Sequence, residues 1–217
     1  MLIVEDLMLL LLDDETGVPA AAGTLNYTLG GAVLVELALL GRVETDGNKV
    51  YAVGDGPLPD PLLQEAYDKV AEKPRGAQTL LITIGSYLYQ PVIDRLLERG
   101  LIRREKKRVL GIIPMTRLPA ADHEHEAGLR AGIRAVLIDG AEPDARTAAL
   151  IALLSGSGAL PMLRPQLAWS TPVIERAKAL EQGNWGADAV NTAVVRTAAA
   201  IAVSTAVTTV TVVTNPS

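Results

Sequence analysis

Apolar residues recur at helical spacing along most of the chain. Ile3 to Leu12 is broken only by Glu5 and Asp6 and stops at the turn sequence DDETG, which ends in Gly17. In the next segment, LNYTLGGAVLVELALLG, the stretch from Ala32 to Leu40 is apolar almost all round, with Glu36 its one charge. It predicts a central buried helix that Gly41 ends. RVETDGNKVYAV alternates about Asp46-Gly47 and predicts a β-hairpin over Arg42–Val53. After the linker GDGPLPD, Asp60 caps a helix with Pro61 at its first position. Leu63, Tyr67 and Val70 line one face of it, and Pro74 ends it.

A further helix runs from about Ala77 to a break before Pro91. PVIDRLLERG follows, with Val92, Leu96 and Arg99 at helical spacing and Gly100 as its stop. The stretch RREKKRVLGII then reads as two strands around EKKR, a second hairpin over Leu101–Met115. Asp122 caps HEHEAGLRAGIRAVLID, whose stripe is Leu129, Ile133, Val136 and Leu137, and Glu126 and Arg130 form a favourable i,i+4 pair. Pro143 starts one later helix, Pro172 another, and Asp188 a last long one. Two units thus share a helix–Gly–hairpin order, ALLGRV…DGNKVYAV and LLERGLIRREKKRVLGII. The linkers are too short for independent domains. The expected fold is mainly α: a single helical domain over residues 1–210 with protruding β-hairpins, and a tail at 211–217.

Composition supports this fold class. Of 217 residues, 49% are hydrophobic, but there are two Trp, five Tyr and no Phe. The core is therefore aliphatic, rich in Leu and Ala, which favours helix over sheet. Without Cys there is no disulfide, thiolate metal site or Cys nucleophile, as suits a reducing compartment. The N-terminus has no basic region ahead of its apolar run, so it does not read as a secretory leader. The uncharged run from Thr197 to Val213 is rich in Ala and Thr and short for a membrane span, and reads as a buried helix. Together these features predict a soluble protein.

Candidate chemistry is sparse. His123 and His125, the only two histidines, stand i,i+2 in DHEHE, so a helix points them to different faces and no shared metal is expected. Asp13 to Glu15 reads as a polar turn rather than a cation site. SGSG, Ser155 to Gly158, lacks the Lys and spacing of a phosphate loop, and no strand precedes the glycines of LGG, Leu29 to Gly31. Those small residues suit close helix packing. Trp169 and Trp185 read as half-buried anchors. No catalytic constellation and no cofactor site is expected.

Charge singles out one segment. Six of the 20 Lys and Arg lie between Arg99 and Arg108, against one acid, Glu105, while the rest of the chain carries 14 basic and 24 acidic residues. Arg103, Arg104, Lys106, Lys107 and Arg108 stand directly before the apolar Val109, Leu110, Ile112 and Ile113. Cations beside exposed aliphatic residues suit an anionic membrane, where each cation contributes about 1 kcal/mol and each inserted side chain adds burial energy. A winged-helix wing that touches nucleic-acid phosphates has the same shape, as does the hairpin of an oligomerising protein–protein adaptor. The net charge of −5 counts against nucleic acid.

The chain resembles the Golgi phosphoprotein 3 family over nearly its whole length, and looks like a bacterial-type member. EDLMLLLLDDETG resembles the family's opening helix and charged turn. GGAVLVELALLGRV is close to the pattern G-G-x-L-I-E-L-x-x-x-G-R-I, and LLERGLIRREKKRVLGIIPMTRLP resembles its helix and hydrophobic hairpin. RTAALIALL and RAKAL are similar to two later helices. The resemblance implies a helical fold whose hairpin inserts into the bilayer and contributes to self-association. It implies binding to phosphatidylinositol 4-phosphate and an adaptor role toward membrane-protein clients. It places the protein on the cytoplasmic side of a membrane, the Golgi in a eukaryote or the plasma membrane in a bacterium. The family's headgroup pocket uses one Trp and three Arg. The matching positions here are Ala22, Leu29, Ser86 and Tyr89, which lack that chemistry.

Overall fold

Nine consecutive residues, Ile3–Leu11, form helix α1, and every one of them is buried. A nine-residue helix buried on all sides must lie between other elements. It packs on α2 (Leu25–Leu39), α5 (Tyr89–Glu98), α6 (His123–Arg134) and α7 (Ala145–Gly156). The computed structural model describes residues 1–13, 18–20, 22–109, 113–163, 167, 169–183 and 198–204. The remaining elements are strands β1 (Val43–Thr45) and β2 (Val50–Ala52), helices α3 (Pro61–Ala71) and α4 (Ala77–Gly85), strands β3 (Glu105–Val109) and β4 (Ile113–Arg117), and helix α8 (Thr171–Glu181). A further helical stretch covers 198–204. The fold is mainly helical, and among the described residues its sheets are two separate antiparallel hairpins, β1–β2 and β3–β4.

The central helix is α2, as its sequence predicts, and it starts earlier, at Leu25. Leu29, Ala32, Val33, Leu34, Val35, Leu37 and Ala38 are all fully buried. Leu40, expected inside this helix, is instead its C-cap and is half exposed. α2 runs antiparallel to α4 at backbone contact. A Cβ on Gly30 would lie 2.2 Å from the Leu81 carbonyl oxygen, and one on Gly85 would lie 1.7 Å from that of Asn26. Gly30 therefore serves close helix packing, as LGG suggests, and Gly85 is its counterpart on α4.

The two helix–Gly–hairpin units use one device. At the end of α2, Gly41 N–H donates to Ala38 O and Arg42 N–H to Leu37 O. At the end of α5, Gly100 N–H donates to Leu97 O and Leu101 N–H to Leu96 O. Both glycines have positive φ, 65° and 71°. This is the Schellman termination, in which a left-handed residue closes the helix and turns the chain out of it. Buried Leu96 and Leu101 supply its apolar contact.

Several boundaries differ from the pattern. Pro91 sits inside the first turn of α5, where a missing N–H is tolerated, so the break falls at residues 86–88. Asp144, not Pro143, opens α7, its carboxylate accepting from Thr147 N–H. After Arg134 the backbone widens into a π-helix, Ala135–Asp139, ending at Gly140. Arg176 of α8 donates to Val136 O and Leu137 O and so satisfies carbonyls at that end. Asp60 and Asp122 cap α3 and α6 as expected. Trp169 packs half-buried against the core. Trp185, the turn residues 14–17 and the start of the last helix at Asp188 lie outside the described residues. In that last helix Ala198, Ile201 and Ala202 are buried. No helix among the described residues is long and apolar enough to cross a membrane.

Candidate membrane-binding hairpin

The hairpin grows directly out of the α5 terminus. Buried Leu101, Ile102, Leu118 and Ala120 form its base. There Ile102 bridges Ala120, Arg103 N–H donates to Pro119 O, and Ala121 N–H donates to Leu101 O. Beyond the base, β3 and β4 pair in the register Glu105–Arg117, Lys106–Thr116, Lys107–Met115, Arg108–Pro114 and Val109–Ile113. Among the described residues no other element makes more than marginal contact with the two strands.

This register corrects one expectation. EKKR is not the turn between two strands but lies within strand β3, which pairs with β4 along its whole length. Lys106, Lys107 and Arg108 are therefore in extended, paired backbone. The hairpin reaches Ala120 rather than Met115. Leu110 and Ile112 lie outside the described residues. Lys106, Lys107, Arg108 and Val109 occupy β3, with Ile113 opposite Val109.

The cations at the base differ in role. Arg103 is 55% exposed and donates to Glu105 at 2.7 Å; Arg104 is 56% exposed and donates to Asp94 at 3.1 Å. Such exposed pairs contribute about 0–1 kcal/mol and yield to a stronger anion. Arg99, 44% exposed, instead reaches inward, its Nε donating to the fully buried Glu5 at 3.0 Å.

Glu5 is the hub of a charged network that the hydropathy pattern does not single out. It accepts from Leu2 N–H at 2.6 Å, from Arg95 at 2.9 Å and from Arg99. Arg95 also forks onto both oxygens of Asp60, the α3 cap. Burial alone would push the Glu5 and Asp60 carboxyls up. For Glu5 the Leu2 N–H and the Arg95 and Arg99 charges outweigh burial and hold it below the usual range. For Asp60 the Arg95 guanidinium and the Leu62 N–H do the same. On the other side of α1, Asp6 meets Arg146 at 2.7 Å and His125 at 2.8 Å, and Glu36 of α2 accepts from Ile3 N–H and from Arg146. Burial pushes the Glu36 carboxyl up, and the nearby Asp6 adds to it. One signal was available: single acids inside otherwise apolar helices need buried cationic partners.

The histidines diverge. His125 turns inward to Asp6, while His123 is exposed. Among the described residues no group of three or more His, Asp or Glu is placed to hold a metal. The four positions matched to a headgroup pocket are only partly gathered. Contact between Gly85 and Asn26 sets the end of α4 beside the start of α2, so Ala22, Ser86 and Tyr89 fall at one end of this helix pair. Ala22 and Ser86 are exposed, Tyr89 is half-buried, and Leu29 is fully buried in the core. None of the four is charged.

A comparison with curated proteins finds no match to the chain. The Golgi phosphoprotein 3 (GPP34) family model matches residues 3–197, a span that runs from the first residue of α1 past α8 and takes in both hairpins. By that match, together with its helical fold and paired hairpins, the chain belongs to the Golgi phosphoprotein 3 (GPP34) family.

Proposed function

We propose that this chain is a non-catalytic peripheral membrane protein that engages anionic phospholipid or phosphoinositide through the β3–β4 hairpin, on the cytosolic side of the membrane. The observation that carries the reading is the hairpin itself. It stands out from an otherwise acidic chain, is fixed at its base by buried aliphatic residues, and carries Lys106, Lys107 and Arg108 on strand β3. Leu110 and Ile112 lie in sequence between Val109 and Ile113. Cations draw the hairpin to an anionic surface, and aliphatic side chains then enter the acyl boundary. Arg103 and Arg104 exchange weak surface pairs for lipid phosphate. The Schellman turn at Gly100 supports this use, because it couples the hairpin to α5 without a flexible linker. Family membership supports the same reading.

Co-sedimentation with vesicles tests it. The full chain is expected to bind phosphatidylglycerol and phosphoinositide vesicles, weakly or not at all pure phosphatidylcholine, with affinity falling steeply with salt. Equal binding to neutral and anionic vesicles would overturn the electrostatic reading. Absence of binding to all of them, with concentration-dependent sedimentation of the chain alone, would make the hairpin a self-association element.

A further inference from the structure

A cleft of about 290 Å³ opens between the start of α3 and one face of α5, lined by Pro61, Leu62, Glu65, Tyr87, Asp94 and Glu98, with Arg95 also in its wall. The Tyr87 hydroxyl is buried and has no hydrogen-bond partner among the described residues. A buried polar atom of this kind carries a desolvation cost unless a partner arrives. Burial, with Glu65 nearby, pushes the phenol up to about 12, so it remains a neutral hydroxyl able to accept or donate. Glu65 and Glu98 are exposed and have no ion-pair partner among the described residues. The one cation in the cleft, Arg95, is spent on Glu5 and Asp60. The site therefore offers acceptors and negative charge over an apolar floor.

Its position gives that chemistry a use. Asp94, on the cleft wall, accepts from Arg104 at 3.1 Å, and Arg104 stands at the foot of β3. Cations that suit a phosphate and acceptors that suit an ammonium thus adjoin at one end of the hairpin. We propose that the α3–α5 cleft binds a primary ammonium group, presented next to a phosphate at Arg104, as in a phosphoethanolamine headgroup. The primary amine is favoured over a quaternary one for two reasons. Carboxylates and a hydroxyl accept N–H bonds that a quaternary nitrogen lacks. A quaternary group also relies on a cage of several aromatic rings, and Tyr87 is the only ring in the lining. This inference rests on the membrane-binding reading for its lipid source, while a free amine has the same binding chemistry.

The test uses the full chain and vesicles with a fixed fraction of phosphatidylglycerol in either phosphatidylethanolamine or phosphatidylcholine. Binding is expected to be about tenfold tighter on the ethanolamine background, the worth of one charge-assisted hydrogen bond. Ethanolamine lipids also loosen headgroup packing and favour any inserting hairpin, so two variants separate the causes. Tyr87→Phe and Glu98→Gln are each expected to remove most of the preference while keeping the phosphatidylglycerol dependence and the thermal unfolding midpoint. In a second arm, phosphoethanolamine, ethanolamine and phosphocholine are titrated onto the chain in solution, read by NMR at the Tyr87 ring. A response to the two primary amines and not to phosphocholine supports the cleft, and a response with no vesicle preference identifies the free amine as its source. A vesicle preference that both variants retain, or no preference together with no response to the amines, overturns the proposal. Failure of the chain to bind any vesicle would count against the membrane reading alone, since the solution arm reports on the cleft independently.

Discussion

Replacing Gly30 with Ala inverts an ordinary expectation. In a helix interior, Gly to Ala stabilises by about 1 kcal/mol, because Ala has less backbone freedom to lose. At Gly30 the new Cβ would lie 2.2 Å from the Leu81 carbonyl oxygen and 2.9 Å from its carbon. Ordinary contact needs about 3.5 Å, so α2 and α4 must separate by roughly 1 Å, a gap that forfeits a quarter to a half of each dispersion contact along the seam. The obstacle is backbone, so no rotamer change relieves it. Overpacking costs about 1–3 kcal/mol; taking the upper end and subtracting the propensity gain leaves a net loss of about 2 kcal/mol. Gly128 and Gly132 in α6 are internal controls, since a Cβ at either meets nothing within 4 Å. Ala there is expected to stabilise by up to about 1 kcal/mol. Equilibrium urea unfolding followed by far-ultraviolet circular dichroism reads all three on one scale. If Gly30→Ala proved neutral or stabilising, like the α6 controls, the close antiparallel packing of α2 on α4 would be wrong.

Removing the hub carboxylate by Glu5→Ala leaves Arg95 and Arg99 without a shared buried partner; because Arg95 keeps Asp60 and Arg99 is half exposed, the loss should fall below the 3–5 kcal/mol of a fully buried pair, at about 2–3 kcal/mol in urea unfolding, and a loss under about 0.5 kcal/mol would contradict the network. The folded-state values of Glu5 and Asp60 lie below their ordinary 4.5 and 3.8, so their stabilisation is fully present above that range and lost as pH falls through the depressed values. Glu36, raised above 4.5, acts in the opposite sense: its penalty is relieved as pH falls through the raised folded value and is gone below 4.5, so urea midpoints of Glu5→Gln should fall less steeply than the parent's below pH 4.5, while Glu36→Gln should lack the gain the parent shows as pH falls toward 4.5. Replacing Leu110 with Ser should weaken vesicle binding less than removing four cations, with little change in its salt dependence; a salt response as large as that of the charge variant would argue against insertion.

Most of the helical scaffold was legible because its signals are local. Asp60 before Pro61, Asp122 before an amphipathic run, and Gly41 and Gly100 after apolar ends each specify a terminus within a few residues. The Asp46-Gly47 reversal was equally plain, since Asp46 accepts from Asn48 and Lys49 N–H within its own turn. What depends on distant partners was not legible. Glu5 looks like an ordinary helix-start acid until Arg95 and Arg99 are folded onto it from 90 and 94 residues away. Gly85 looks like a helix stop, and only its approach to Asn26 explains it. The basic segment was recognised but its turn was misplaced, because six consecutive charged residues at 103–108 resemble a loop, whereas Glu105 to Arg108 are paired strand. The Tyr87 cleft was invisible, since its walls come from two helices.

The central claim is that the cations of β3 draw this protein to an anionic surface. The most direct measurement is co-sedimentation of the variant Arg104→Ser, Lys106→Ser, Lys107→Ser, Arg108→Ser with phosphatidylglycerol vesicles at low salt, beside the parent. At about 1 kcal/mol per charge the four together are worth about 4 kcal/mol, so the variant should partition roughly a thousandfold more weakly and lose most of the parent's salt dependence, with unfolding unchanged. A folded variant that binds these vesicles as tightly as the parent would contradict the account and leave the hairpin as a contact between protein chains.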